Sequence, residues 1–454
     1  MLDRLSGPAL FVASFAILIA IGTVGLLVLP GLYTGPPLRF VDALFTMTSA
    51  VCVTGLIVAD TATYFTFWGQ LWILLFIQLG GLGLITLSSI VMGAMGLRLS
   101  LRTEAITVSA PRSGSELEVW QLALDVLRFT LAIEAVGAAC LFLLWLPTAP
   151  WPEVLWHAVF QSVSAFCNAG FSTYSDSLAG WSGSPATLLV MSALIVTGGL
   201  GYLTLNETRL RWRARVQGAP HRFSCNAFAA LTSTALLLVA GTVAFALLEW
   251  DSTLVGFGLG DKLMNAWFMS TTARTAGFNT IPYSEIGNDA AMLTIMLMFV
   301  GGSPGSTAGG VKTTTLAVIV ALAYSRLRGR RFVSLHSRGI PSGTLERAVS
   351  LTLLAVIVVT IAVLLLNVLH GAGQAPDAER GQFLPLLFEA VSAFATVGLS
   401  MGATGRLGDS GHVVTILLMF IGRVGLFSFF AAMMLRGAAP RGAARPAHED
   451  LFVG

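Results

Sequence analysis

Charge is what this sequence most lacks. Of its 454 residues only 11% are Asp, Glu, Lys or Arg, against about 25% in ordinary soluble domains. A soluble chain this poor in charge would not have the polar surface that keeps it in solution. Lysine is nearly absent, since among 26 basic residues only Lys262 and Lys312 are lysines. Cysteine is sparse: Cys52, Cys140, Cys167 and Cys225 show no metal-ligand spacing. Free thiols are the favoured state, with a Cys52–Cys167 bridge left open. The six histidines are scattered, and no nucleophile constellation or paired-carboxylate motif stands out. These absences exclude a disulfide scaffold and argue against an enzyme, an organic cofactor and nucleic-acid binding.

What is abundant is apolar: 55% of residues are hydrophobic, and the 48 glycines fall mostly inside apolar runs. The class is a polytopic helical membrane protein. The first run, Ala9 to Leu29, is long enough to span about 30 Å of hydrocarbon and has no small-residue cleavage site after it, so it is expected to stay as a span.

Four segments share one pattern. Each has an aromatic ten residues before a glycine, a hydroxyl six before it, and a bulky apolar residue after it. They run Phe45–Leu56, Phe160–Phe171, Trp267–Phe278 and Phe388–Leu399, with hydroxyls Ser49, Ser164, Thr271 and Ser392 and glycines Gly55, Gly170, Gly277 and Gly398. The glycines lie 115, 107 and 121 residues apart. A second glycine cluster follows each by 25, 28, 24 and 24 residues, beginning at Gly80, Gly198, Gly301 and Gly422. Two markers in register across four units identify a fourfold internal repeat. Apolar runs precede and follow each unit, which gives an all-α membrane fold of four units, each a spanning helix (M1), a short helix with a glycine loop, and a second spanning helix (M2). Eight transmembrane helices would surround a pseudo-fourfold pore. The expected divisions are repeat one at 1–98, a linker at 99–126, repeat two at 127–208 and a linker at 209–228. Repeat three follows at 229–325 with an interrupted M2, then a linker at 326–348, repeat four at 349–436 and a tail at 437–454.

Nineteen of the 26 basic residues fall on one side of this arrangement, among them Arg98, Arg102, Arg112 and Arg128, the Arg209–Arg222 group, the Arg326–Arg347 group, and Arg4, Arg436, Arg441 and Arg445. By the positive-inside rule that side is cytoplasmic, with both termini inside and the loops re-entering from outside. The arginine-rich segments would also touch anionic lipid headgroups.

Non-helical backbone at membrane depth persists only where it is buried in protein or lines a watery path. A cation crossing an apolar medium needs substitutes for its hydration oxygens, and backbone carbonyls can supply them. Turning those carbonyls to one side takes residues with φ > 0, which glycine adopts without steric cost. The candidate ion-binding filter is therefore Val53-Thr54-Gly55, Asn168-Ala169-Gly170, Thr275-Ala276-Gly277 and Thr396-Val397-Gly398. None of these is acidic, so a divalent-cation ring of carboxylates is disfavoured.

The third M2 carries Gly301-Gly302-Ser303-Pro304-Gly305-Ser306-Thr307-Ala308-Gly309-Gly310. Each mid-helix Gly costs about 1 kcal/mol and Pro about 3, so the helix is expected to break there, while repeats one and two keep theirs largely intact. Gly305 to Lys312 imitates a phosphate-binding P-loop, but Val311 intrudes and no strand precedes it. Arg423 stands where other repeats have Gly81, Gly199 and Gly302. A guanidinium facing lipid there costs at least about 2.5–3.5 kcal/mol, so it must face the interior or water. It can act as a fixed charge tethering the 302–310 loop, or as a structural arginine paired with Glu389 or pore-helix carbonyls. Arg274 either repels cations at the mouth or turns back into the scaffold; the second is favoured.

This motif set resembles the membrane subunits of the Trk/Ktr/HKT superfamily of potassium transporters, over about residues 10–436. The resemblance implies K⁺ as the transported ion, Na⁺ as an activating or coupling ion, and residues 302–310 with Arg423 as a gate. Glycine in all four loops, Gly55 included, resembles the potassium-selective pattern; a serine there is associated with sodium. Eight spans resemble the KtrB type, which implies a homodimer in the plasma (inner) membrane on a ring of KtrA-type nucleotide-binding regulatory subunits, with the tail ending at Gly454 tucked into the dimer interface. The other reading is a sodium or weakly selective monovalent cation transporter, with coupling to Na⁺ or H⁺ left open.

Overall fold

The computed structural model describes residues 7–94, 116–218, 223–330, 332–336, 338–371 and 376–425. Arg4, Arg98, Arg102, Arg112, Arg222, Arg331, Arg436, Arg441, Arg445 and the expected tail at 437–454 lie outside them. The chain is mainly helical. The first unit comprises α1 (Gly7–Val28), α2 (Phe40–Val51) and α3 (Phe67–Ala94); the second, α4 (Glu116–Trp145), α5 (Trp151–Cys167), α6 (Pro185–Leu200) and α7 (Tyr202–Val216). The third has α8 (Cys225–Glu249), α9 (Leu259–Thr272), α10 (Asn288–Phe299) and α11 (Thr313–Leu327). The fourth has α12 (Ser342–Gly371), α13 (Pro376–Ala395) and α14 (Asp409–Val424).

Among the described residues four helices are long and apolar enough to cross a membrane, in segments Phe11–Val28, Gln121–Trp145, Cys225–Glu249 and Ser342–His370. These are the first helices of the four units. A fifth span is possible if the bent pair α6–α7 counts as one. The linkers are more ordered than the apolar runs suggest. Helix α4 starts at Glu116, ahead of the run at 127, because it carries buried Val126 and partly buried Leu122 into the core. A two-stranded hairpin, β1 (Ser334–Leu335) with β2 (Arg338–Gly339), adds a small exception to the all-α expectation.

The packing is cyclic. Each unit's second helix packs on the short helix of the next: α3 on α5, α6 on α9, α10 on α13, and α14 back on α2. Polar contacts pin these seams. Trp156 Nε1 on α5 donates to Gln70 Oε1 on α3 at 2.7 Å, and Arg39, ahead of α2, donates to Asp409 on α14 at 2.9 Å. The Asp42 and Asp409 carboxylates hold the Arg39 guanidinium above its ordinary pKa.

The downstream glycines permit a closer approach. A Cβ on Gly80, Gly198 or Gly422 would lie 2.0, 1.9 or 1.7 Å from the carbonyl oxygen of Val51, Phe166 or Phe394, each at the end of its own unit's short helix. In the third unit Gly301 instead meets Gly309 O of the broken segment, at 1.9 Å from such a Cβ.

One difference from the expectation matters. The second unit's M2 does not continue straight, because α6 ends at Gly201 (φ 78°) and α7 leaves at 101° to it. A Cβ on Gly201 would sit 2.5 Å from Gly305 O, so the bend is shaped by the third unit's loop. In the described residues α14 likewise ends at a glycine in the same conformation, Gly425 (φ 85°).

Gly422→Ala is expected to lower stability by about 1–3 kcal/mol, since Phe394 is backbone that must move. Gly83→Ala, with nothing within 4 Å of its added Cβ, should be neutral or slightly stabilising. Thermal melts of the two purified variants in detergent check this pair.

Candidate functional site

Each short helix ends in the same turn. Val53, Asn168, Thr275 and Thr396 have φ of 56°, 58°, 72° and 52°, and the glycines two residues on, Gly55, Gly170, Gly277 and Gly398, have φ of 95°, 70°, 80° and 93°. Left-handed backbone is uncommon for any non-glycine residue and is a genuine outlier for β-branched Val and Thr, at a cost of roughly 1–3 kcal/mol each. Such strain is stable only if the surroundings over-determine it. They do: Thr54 N–H donates to Ser49 O (2.8 Å), Ala169 N–H to Ser164 O (2.7 Å) and Val397 N–H to Ser392 O (2.8 Å).

The repeated hydroxyls complete the turn. Ser49 Oγ accepts from Gly55 N–H at 3.0 Å and Ser392 Oγ from Gly398 N–H at 3.1 Å. Ser164 Oγ–H donates instead to Phe171 O at 2.7 Å. In the third loop the aligned hydroxyl, Thr271, bonds Trp267 O within its own helix, and the neighbouring Thr272 donates to Phe278 O at 2.5 Å. The loop bond shifts with it, to Ala276 N–H on Thr272 O.

The four turns meet in a ring. A Cβ on Gly55 would lie 2.5 Å from Ala169 O, on Gly170 3.0 Å from Ala276 O, on Gly277 2.4 Å from Val397 O, and on Gly398 2.1 Å from Thr54 O. The carbonyl before each glycine thus abuts the glycine of an adjacent loop, in chain order and back to the start. All twelve predicted filter residues are brought into this ring. The hydroxyls of Thr54, Thr275 and Thr396 are buried without a hydrogen-bond partner. Among the described residues no group of three His, Cys, Asp or Glu side chains could hold a metal ion.

The broken M2 lies against one end of this ring. Residues 300–312 form a loop closed on itself by a parallel bridge between Val300 and Val311, with Gly301 N–H on Val311 O at 2.9 Å. Thr307 Oγ1 is hydrogen-bonded at 2.9 Å to the Asn168 amide and lies 3.2 Å from Phe166 O. A Cβ on Gly309 would lie 2.2 Å from Thr396 Oγ1. Ser303 N–H donates to Gly199 O (2.9 Å) and Thr307 N–H to Gly198 O (3.3 Å). The Lys312 ammonium donates to Ala308 O at 2.6 Å, which makes it a brace of the loop rather than a phosphate ligand.

Arg423 is 3% exposed. One guanidinium nitrogen donates to Thr307 O of the loop and the other to Gly80 O on α3, at 3.0 Å. Its partners are carbonyls, not Glu389, which accepts from Ser400 Oγ–H at 2.7 Å and from Thr404 Oγ1–H. Arg274 turns back into the scaffold, donating to Thr234 Oγ1 at 3.3 Å. Cys52 and Cys167 are free and buried.

Sequence reasoning passes over two features here. Glu134, an acid inside an apolar run, is buried and accepts from Gln78 Nε2–H at 2.9 Å, with Cys167 Sγ on Gln78 Oε1 at 3.3 Å. Its isolation among apolar residues was the available sign. The polar residue after the aromatic of the pattern, Gln161 or Glu389, braces the serine two beyond the filter glycine, Ser172 (2.6 Å) or Ser400. No periodicity marks that pair.

A family model described as "Cation transport protein", TrkH, matches residues 7–437. The chain is 34% identical over 453 residues to the Potassium/sodium uptake protein NtpJ of Enterococcus hirae, covering 99% of this chain and 98% of that one. It is 35% identical to the Ktr system potassium uptake protein B of Vibrio alginolyticus over 88% of this chain and 85% of that protein. Its counterpart in Bacillus subtilis is 34% identical, over 94% and 92%. Among solved structures, the potassium transporter TrkH from Vibrio parahaemolyticus superimposes with a TM-score of 0.73 at 17% identity, over 94% of this chain and 85% of that one, which is a likeness of fold.

Because the third turn has moved its hydroxyl role by one residue, Thr272→Ala is expected to lower the melting temperature more than Thr271→Ala. The first strips a buried carbonyl of its donor, worth about 1–3 kcal/mol; the second leaves a helix carbonyl that keeps its backbone bond. Melting curves of both variants decide it.

Proposed function

Since the chain belongs to the TrkH family of cation transport proteins, a family of transporters and not of enzymes, we propose that it takes up potassium across the plasma membrane through the ring of four loops. The observation that carries this reading is the ring itself: four strained backbone turns, related by chain order, held so that carbonyl oxygens converge with no carboxylate among them. In this reading α1, α3, α4, α6, α8, α10–α11, α12 and the segment beginning with α14 are the eight spans, grouped as four units around a pseudo-fourfold axis. The filter is residues 53–55, 168–170, 275–277 and 396–398. Each short helix also points its C-terminal end at the ring, which adds roughly half a negative charge apiece.

A dehydrated K⁺ would exchange water oxygens for these carbonyls and for the unpaired Thr54, Thr275 and Thr396 hydroxyls. The 302–310 loop, packed on the ends of α5 and α13, would obstruct the path in this conformation, and Arg423 would hold it there. The charged arginine contributes twice, by tethering Thr307 O and by raising a barrier to cations. Both termini would be cytoplasmic. The similarity to Ktr system B proteins supports a homodimer working with a cytoplasmic nucleotide-binding subunit ring, as the chain's pattern shows no nucleotide-binding motif of its own. The name of the Enterococcus hirae relative, a potassium/sodium uptake protein, favours one second reading: transport with weak K⁺ over Na⁺ preference, or Na⁺ acting beside K⁺.

Expression in a host lacking its potassium uptake systems should restore growth at low K⁺, and Gly55→Ser should shift ion preference toward Na⁺. Failure of both would end the filter assignment. For the gate, Arg423→Ala removes two charge-assisted bonds of about 1.5–3 kcal/mol each, so K⁺ flux without any partner subunit should rise by about tenfold or more. Deleting 302–310 should do the same; an unchanged flux in a folded protein would contradict the gate.

A further inference from the structure

Helix α7 has two faces and one unusual attachment. At about 3.6 residues per turn, Trp212 and Val216 share a side with Leu205. Arg209 and Arg213 border that side on one edge, and Arg211 and Arg215 on the other. Trp212 and Val216 are 67% and 70% exposed. The opposite side packs inward, with Leu203, Leu210 and Ala214 partly buried. Glu207 on this inner side fastens α7 to α8, accepting from Ser224 N–H (2.5 Å) and Ser224 Oγ–H (2.8 Å). An exposed tryptophan and valine between paired arginines is the pattern of a helix lying in a membrane interface, with the ring at headgroup level and the guanidinium groups on phosphates. The 101° turn from α6 suits it, because a helix nearly perpendicular to a span runs along the membrane plane. Arg211 also lies 4.1 Å from the Phe223 ring centroid, which fixes its edge of the face.

The attachment is to the 302–310 loop. The bend at Gly201 rests on Gly305 and Ser306, and the last turn of α6 accepts both loop N–H bonds through Gly198 O and Gly199 O. Whatever holds α7 at this angle holds those carbonyls where the loop needs them.

Resting on the transport reading above, we propose that α7 is an anionic-phospholipid site of the cytoplasmic leaflet, and that lipid bound there keeps the 302–310 loop in its obstructing position through the Gly201 bend. Charge complementarity and the exposed Trp212–Val216 strip select an acidic headgroup above acyl chains as the occupant. Neutral bilayers would release the arm and raise flux.

The test uses full-length protein in phosphatidylcholine vesicles with and without phosphatidylglycerol. K⁺ flux of the unmodified chain should be about fivefold lower in the anionic vesicles. Replacing Arg209, Arg211, Arg213 and Arg215 by Gln should make flux equal in both, and replacing them by Lys should preserve most of the difference. Independently of flux, brominated phosphatidylglycerol should quench the unmodified protein more than the Trp212→Phe variant. Equal flux of the unmodified chain in the two vesicle types overturns the coupling. Equal quenching in the two proteins overturns the lipid site and points to a soluble partner on that face. No K⁺ flux in either vesicle type sinks the transport reading, and the quenching comparison still decides the site.

Discussion

The whole arrangement depends on four glycines meeting where no Cβ fits. At Gly55, Gly170, Gly277 and Gly398 an added methyl would fall 2.1–3.0 Å from a neighbouring carbonyl oxygen. That contact fixes the separation of the four loops and, through them, of the helices that carry them. The left-handed Val53, Asn168, Thr275 and Thr396 are a consequence of it: each chain must turn sharply to put its glycine at the ring. Hydroxyls from the short helices then hold the turn, and second helices pack on the next unit's short helix to close the circle. Stability and the geometry of the path have the same origin here.

The loop at 300–312 is held by a different kind of contact, made almost entirely by backbone. Its partners are Gly198 O, Gly199 O and Phe166 O of one unit, Gly80 O by way of Arg423 from another, and the end of α13 from a third. Such bonds ask little of side-chain identity, which is why the segment can be built from Gly, Ser, Thr and Ala. The exceptions are Thr307, whose hydroxyl bonds the Asn168 amide, and above all Arg423. It serves two carbonyls from different units and leaves its Nε unpaired. A lysine, with a point charge and no fork, could not span both in the same way.

Much of this was legible in the sequence because it rests on residues whose replacement would force neighbouring backbone to shift. The ring needs glycine, so the glycines are in register and the register could be read. The break in the third M2 needs several glycines and a proline, and α10 and α11 do stop at Phe299 and resume at Thr313. The bend in the second unit was not legible. Gly80-Gly-Leu-Gly83 and Gly198-Gly-Leu-Gly201 are the same four residues, yet α3 runs through the first and α6 ends at the second. The difference comes from the neighbour: Gly305 O would meet a Cβ on Gly201, whereas nothing lies within 4 Å of a Cβ added at Gly83. The shift of the hydroxyl role from Thr271 to Thr272 was hidden for a similar reason, since adjacent threonines offer two registers and the loop chooses one. Helix α4 shows the limit of hydropathy as a guide to boundaries, because its first turn carries Glu116 and Glu118 ahead of the apolar run.

Among the described residues the long Gly-Ser-Pro insertion lies in the third unit alone, and the arginine that meets it comes from another. A ring of four identical subunits could not be built this way, because every copy would carry the same insertion and four loops would compete for one axis. Joining the four units in a single chain removes that symmetry requirement. In the proposed transport reading, obstruction then becomes the property of one segment, which would need no concerted motion of its three counterparts to be lifted. In that reading the path would open as a single event, with none of the steepness that four coupled barriers would give, and each loop of the ring can differ in sequence from the others, as Val53-Thr54, Asn168-Ala169, Thr275-Ala276 and Thr396-Val397 do.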